Sequence, residues 1–152
     1  MSSAFPLPPA MARALALARA AAAAGEVPIG AVVMRDGQVV GEGENRNRRD
    51  NDPTAHAEIV AIRAAALALG DYRLSGCDLY VTLEPCPMCA GAISHARIER
   101  LYYGAADPKG GGVEHGACVF AQPQCHHRPD VYGGIGEGEA ATVLTEFFAE
   151  RR

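Results

Sequence analysis

Strand and helix signals alternate along the whole chain, and that alternation narrows the possible folds more than any single residue does. Ala10 to Ala24 is rich in Ala and Leu, with Arg13 and Arg19 set into it. It reads as an amphipathic helix carrying Leu15 and Leu17, ended by Gly25 at its C′ position. Ile29 to Met34 reads as a buried strand, Arg35-Asp36-Gly37 as a hairpin turn and Val39 to Glu42 as the returning strand. Asn45 to Thr54 is polar and reads as a loop. An alanine-rich helix follows from about Ala55 to Leu69, stopped by Gly70. Cys77 to Thr82 is a short apolar strand, broken by Leu83-Glu84-Pro85, and Pro87 suits the first turn of the next helix. Arg100 to Gly104 is another strand, and Asp107 to Gly112 a glycine-rich loop. Val113 to Pro129 carries no pattern. Val131 to Ile135 reads as a last strand. Glu139 to Arg152 reads as a closing helix with Val143, Leu144, Phe147 and Phe148 on one side. This order predicts an α/β fold of three layers, α/β/α, around one central mixed sheet.

At 152 residues the chain has the length of one domain, expected to span 1–152. Apolar residues make up 49% and charged residues 21%, enough for a packed core without disulfides. A net charge of -4 gives no global pull toward nucleic acid or an acidic membrane surface. Five cysteines, an odd number, without a secretion signal argue against a disulfide framework, and the Cys86-Pro-Met-Cys89 spacing points to a reducing compartment, hence the cytoplasm, and to a metal or redox site. Arg13 and Arg19 interrupt the N-terminal alanine run, so it does not read as a signal h-region; a basic, alanine-rich transit peptide is the lesser alternative to a helix of the fold. No stretch reaches the apolar length that spans a bilayer.

Two short motifs carry the chemistry. His56-Ala57-Glu58 sits at an expected helix start, and Pro85-Cys86-Pro87-Met88-Cys89 sits where a strand hands over to a helix. Either alone says little, because a Cys-x-x-Cys can be a redox pair or half of a structural zinc site. Together they are specific. Zinc favours thiolate and imidazole ligands in tetrahedral geometry. A helix N-terminus turns Cys86 and Cys89 to one side, and its dipole favours thiolates. His56 supplies a third ligand from another helix start. Three protein ligands leave one coordination position open, the pattern of a catalytic zinc, and water there becomes hydroxide near neutral pH. Glu58, two residues from a ligand, is placed to take a proton and hand it on. A His-x-Glu followed by Pro-Cys-x-x-Cys is the signature of zinc deaminases acting on nucleobases.

A structural zinc would need a fourth ligand. Cys77, Cys118, Cys125, His95, His115, His126 and His127 could each offer one, but no second Cys-x-x-Cys or spaced His pair follows. A redox pair leaves His56 and Glu58 without a task. Cys118, Cys125, His126 and His127 read as loop residues near a pocket or partner before a second metal site, and Cys77 reads as a small core residue.

The segment Pro53 to Ile59, together with Tyr80 to Ala92, resembles the bacterial tRNA-specific adenosine deaminases. Gly25 to Val32, Gly104 to Lys109 and the ending Phe147 to Arg152 fit as well, so the likeness covers nearly everything from Gly25 onward. The resemblance implies a cytidine-deaminase-like fold and a homodimer with one zinc per subunit. It implies hydrolysis of adenosine to inosine at the wobble position of a tRNA anticodon loop. His56, Cys86 and Cys89 would hold the metal, and Glu58 would protonate N1 as hydroxide attacks C6. Asn45 would contact the base, and Asp107 would lie near the ribose and flanking nucleotides. Ala57, His126, His127, Phe148 and Arg151 complete the substrate-binding set, with Phe147 and Arg152 helping to hold the RNA. Where the family often has Asn before a His-Arg pair, this chain has His126-His127-Arg128. Arg46, Arg48, Arg49, Lys109, Arg128, Arg151 and Arg152 could form one positive face. The same motifs also suit a deaminase of free guanine, cytosine or cytidine. A non-catalytic zinc module paired with an active subunit is a third possibility, but it would have no need of Glu58.

Overall fold

The computed structural model describes residues 6–151. Arg152, expected in the closing helix and in RNA holding, lies outside them. The elements are α1 (Pro9–Ala23), β1 (Gly30–Arg35), β2 (Gln38–Glu44), α2 (Ala57–Leu69), β3 (Asp78–Leu83), α3 (Pro87–Ala96), β4 (Arg100–Ala105), β5 (Asp130–Tyr132) and α4 (Glu137–Glu150), with a single 3-10 turn at Val119–Ala121. The sheet runs β2-β1-β3-β4-β5. β1 is antiparallel to both β2 and β3, while β3, β4 and β5 are parallel, so the sheet is mixed as expected.

Alternation along the strands sorts the core into two layers. Ala31, Val33, Leu79, Val81, Leu101 and Tyr103 face α2 and α3. Val32, Met34 and Tyr80 face α1 and α4. The result is the three-layer α/β/α arrangement. The helices approach the sheet closely because small residues meet on both sides. A Cβ on Gly43 would lie 2.4 Å from the Ala57 carbonyl oxygen, and one on Gly41 would lie 2.5 Å from that of Ala61. Glycines on β2 and alanines on α2 therefore set the helix down nearly on the backbone of the strand.

Several boundaries move for local reasons. The hairpin turn is as expected, with Asp36 at φ 50° and Gly37 at φ 76°, the left-handed pair of a tight turn. α2 starts at Ala57 and not Ala55, because the Asp52 carboxylate accepts the Thr54 N–H and hydroxyl and holds a turn there. β5 ends at Tyr132 and not Ile135, before Gly133 and Gly134, the latter at φ 81°. Phe147 and Phe148 do not share a side: Phe147 is buried in the core and Phe148 is exposed. Residues 113–129 hold only the 3-10 turn and are otherwise irregular.

Candidate active site

Two helix starts meet at the site. His56 is the N-cap residue of α2, and Cys86 that of α3, where Pro87 takes the first helical position. Both are extended, with ψ of 154° and 171°, so each side chain swings off the end of its helix. Cys89 lies one turn into α3 and is fully buried. His56 Nδ1 lies 3.6 Å from Cys86 Sγ and 3.5 Å from Cys89 Sγ. Tetrahedral zinc with ordinary bond lengths holds a nitrogen and a sulfur ligand about 3.6 Å apart. The two nitrogen–sulfur spacings thus fit zinc, and all three ligand atoms lie within 4.8 Å of one another. Among the described residues they are the only such metal-holding cluster.

The electrostatics agree with a cation site. Cys86 is drawn down to about 4, first by its hydrogen bond with Cys89 and then by His56. Cys89 is pushed up by the same hydrogen bond and by burial. The pair shares one proton, the charge that a bound metal displaces. His56 is raised, chiefly by its contact with Cys86. Glu58 stands in the first turn of α2, and only 4% of its surface is exposed. Burial pushes its carboxyl up to about 7, against the opposing pull of its own backbone N–H.

Asn45 is buried at the end of β2, and its Oδ1 accepts the Ala57 N–H at 2.9 Å. That bond satisfies the first orphan donor of α2 and fixes Asn45 next to the His56 helix start. Ala57, expected in the binding set, is fully buried, and its N–H is spent on Asn45. Asp107 is half-buried and accepts the Gly110 N–H at 2.9 Å in its own turn. Phe148 and Arg151 line a cleft of about 270 Å³ with Gly25, Glu26, Asn47 and Arg48, and the Arg151 guanidinium lies 3.6 Å over the Phe147 ring. His126 is exposed beside His95, with ring centroids 5.5 Å apart. His127 is engaged elsewhere: its Nε2 pairs with the Ile98 carbonyl at 2.7 Å, and its N–H donates to Ser94 Oγ. Cys125 lies against the same Ser94, as a loop residue, and Cys77 is in the core. Of the basic residues, Arg49 is tied to Glu26, Glu44 and the Asn45 carbonyl, and Arg46 to Glu44 and Asp50. Arg128 donates to the carbonyls of Phe120 and Gln122.

Sequence reasoning missed two buried carboxylates beside the site. Glu26 accepts the N–H groups of Arg48 and Arg49 and the Arg49 Nε, which braces the loop between Asn45 and His56. Glu84 accepts five bonds from residues 107–115. The available signal was an acid inside an apolar or Pro-flanked stretch, as in Glu26-Val27-Pro28 and Leu83-Glu84-Pro85.

Comparisons with known proteins agree with this geometry. The model of the cytidine and deoxycytidylate deaminase zinc-binding region matches residues 8–105. A tRNA-specific adenosine deaminase of Agrobacterium fabrum is 61% identical over 93% of this chain and 93% of its own length. A tRNA(Ile)-lysidine synthase of Deinococcus radiodurans is 52% identical over 97% of this chain, which spans only 25% of that protein. A structure solved in a study of A-to-I editing by tRNA:A34 deaminases at the wobble position of transfer RNA superposes with a TM-score of 0.88 at 61% identity, covering 89% of this chain and 98% of that one. With its metal-ligand pattern at two helix starts and its three-layer fold, the chain belongs to the cytidine and deoxycytidylate deaminase family.

Proposed function

We infer that this chain hydrolyses adenosine to inosine at the wobble position of a tRNA anticodon loop. One observation carries the choice of substrate, the 61% identity to a tRNA-specific adenosine deaminase over 93% of both chains. His56, Cys86 and Cys89 would hold the zinc. When bound, the metal acts as a Lewis acid that makes water a competent nucleophile near neutral pH. Glu58 manages the protons: it takes one from the incoming water, delivers it to adenine N1, and later passes one to the amine at C6. The C6–N bond breaks, ammonia leaves, and the oxygen stays as the inosine carbonyl.

The remaining side chains recognise the RNA. Asn45 spends Oδ1 on Ala57, which leaves Nδ2 as its donor to the base, and Ala57 serves by fixing Asn45. Asp107 addresses the ribose and flanking nucleotides from its rigid turn. Exposed Phe148 offers a stacking face, with Arg151 beside it for phosphate. His126 stands on the surface for a flanking nucleotide, and His127 holds the loop that presents it. An anticodon base is already unpaired, so drawing it into the site costs little.

The chain works as one domain over 1–152, in a homodimer with one zinc per subunit, in the cytoplasm. Support for pairing is the family resemblance; support for the cytoplasm is the set of five free thiols. No helix among the described residues is long and apolar enough to cross a membrane. Sedimentation at micromolar concentration should give a dimer, and a monomer would refute the pairing. The deciding assay sets an anticodon stem-loop with adenosine at the wobble position beside free adenosine, guanine, cytosine and cytidine, with zinc content measured. Inosine formed in the RNA alone is the expected result. Turnover of a free base or nucleoside with the RNA untouched would overturn the reading.

A further inference from the structure

The Glu84 side chain has no solvent exposure, and the chemistry above does not use it. It follows directly on β3 and stands two residues ahead of Cys86. Its carboxylate accepts five hydrogen bonds, all from one loop. Oε1 takes the Asp107 N–H at 3.0 Å and pairs with the His115 ring Nδ1 at 2.7 Å. Oε2 takes the N–H groups of Val113, Glu114 and His115 at 3.2, 2.9 and 3.1 Å. A buried carboxylate needs donors to offset lost hydration. Here every donor comes from residues 107–115, so the side chain dictates the shape of that loop.

Other contacts tighten the same clamp. The Gly112 N–H donates to the Pro85 carbonyl at 2.8 Å, which ties the loop to the turn that carries Cys86. A Cβ on Gly111 would lie 2.6 Å from the Glu84 carboxylate, and one on Gly112 would lie 2.5 Å from Pro87 N. The Tyr103 hydroxyl holds the Glu114 side chain. Asp107 is thus fixed twice, by its N–H on Glu84 and by its Oδ1 on Gly110. A wall that needed only to pack could be apolar. Five converging donors fix orientation as well as contact.

We propose that Glu84 is a positioning residue whose carboxylate clamps the Asp107–His115 loop against the Cys86–Pro87 turn and so sets Asp107 in place relative to the metal ligands. What Asp107 is set for rests on the RNA reading above; the clamp does not.

The test uses the full zinc-loaded chain and two perturbations. Glu84→Gln keeps the shape but turns one oxygen into a donor aimed at N–H groups. Gly111→Ala leaves Glu84 intact and pushes the loop off it. Amide hydrogen exchange, zinc content, and kcat and KM on the wobble-adenosine stem-loop are measured for each. Both variants should keep zinc and lose exchange protection at residues 107–115. KM should rise by about 10- to 100-fold, with a smaller change in kcat. The double variant should be no worse than the worse single one, because both break the same clamp. Unchanged protection in both variants overturns the clamp. Lost protection with wild-type KM and kcat overturns the positioning role, and loss of zinc shows that Glu84 serves the ligand turn instead. If the unaltered chain leaves the RNA untouched, the functional reading fails, and the exchange data still decide the clamp.

Discussion

Replacing Glu26 with Gln removes the charge and one acceptor of a buried carboxylate while keeping its shape. Glu26 is 2% exposed and accepts the Arg48 N–H at 3.2 Å, the Arg49 N–H at 2.8 Å and the Arg49 Nε at 3.2 Å. Gln keeps one carbonyl acceptor, so one backbone N–H is left facing an amide donor. That costs about 1–3 kcal/mol. The charge-assisted bond to Arg49 is lost as well, but the Arg49 side chain is 28% exposed and keeps Glu44 and the Asn45 carbonyl. Its loss is therefore discounted to about 1 kcal/mol. The sum, about 2–4 kcal/mol, lowers the melting temperature by about 5–15 °C in a domain of this size. The effect depends on pH with a definite sign. Burial alone would raise the Glu26 carboxyl, but the Arg48 and Arg49 hydrogen bonds and the guanidinium charge outweigh it and hold it below its ordinary 4.5. A depressed carboxylate contributes stability in full above 4.5, and loses it as pH falls through the lower folded value. Thermal unfolding of both proteins from pH 7 downward is the assay. The gap should be widest near neutral pH and close in acid. A constant gap, or one that widens in acid, would refute the assignment of the charge.

Four further outcomes follow from the same geometry. Glu58→Ala should retain full zinc content and abolish turnover; an unchanged rate would sink the proton-transfer role. Cys89→Ala should lose zinc as measured by metal analysis, since its thiolate is one of the three groups among the described residues placed to hold it, and a stoichiometric metal content would show that the cradle is wrong. Gly43→Ala places a Cβ 2.4 Å from the Ala57 carbonyl oxygen and 2.6 Å from Ala61 N; it should cost about 1–3 kcal/mol in denaturant unfolding, and no loss would mean that α2 can lift off β2 freely. Phe148→Ala removes a ring that is 48% exposed, so the melting temperature should hold while KM for the stem-loop rises about tenfold; the reverse pattern would make Phe148 a structural residue.

The legible part of this protein was whatever is written locally. Hydrophobic periodicity is a property of neighbouring residues, so each strand and α-helix among the described residues was foreseen, and His56, Cys86 and Cys89, the cluster that could hold a metal, stood out because two short motifs place them at helix starts. Where the reading slipped, the deciding partner was local but lay outside the pattern, as when Asp52 delays α2 by capturing Thr54. The Phe147–Phe148 pair was a different slip. Neighbours on a helix are about 100° apart, and the buried side of α4 takes Ala140 and Phe147 while Phe148 turns to solvent. Residues 113–129 were opaque for a deeper reason. Their shape comes from bonds to distant groups, with Glu84 gathering the N–H groups of Val113, Glu114 and His115, and Ile98 holding the His127 ring. No period along the sequence can encode such pairings. A lone acid before a proline looks the same whether it faces water or is enclosed by a loop. It follows that the motifs mark the groups placed for the proposed chemistry, while Glu26 and Glu84 mark what holds the surrounding loops in register. A substitution at either carboxylate would look harmless in the sequence and should impair the site without touching a ligand.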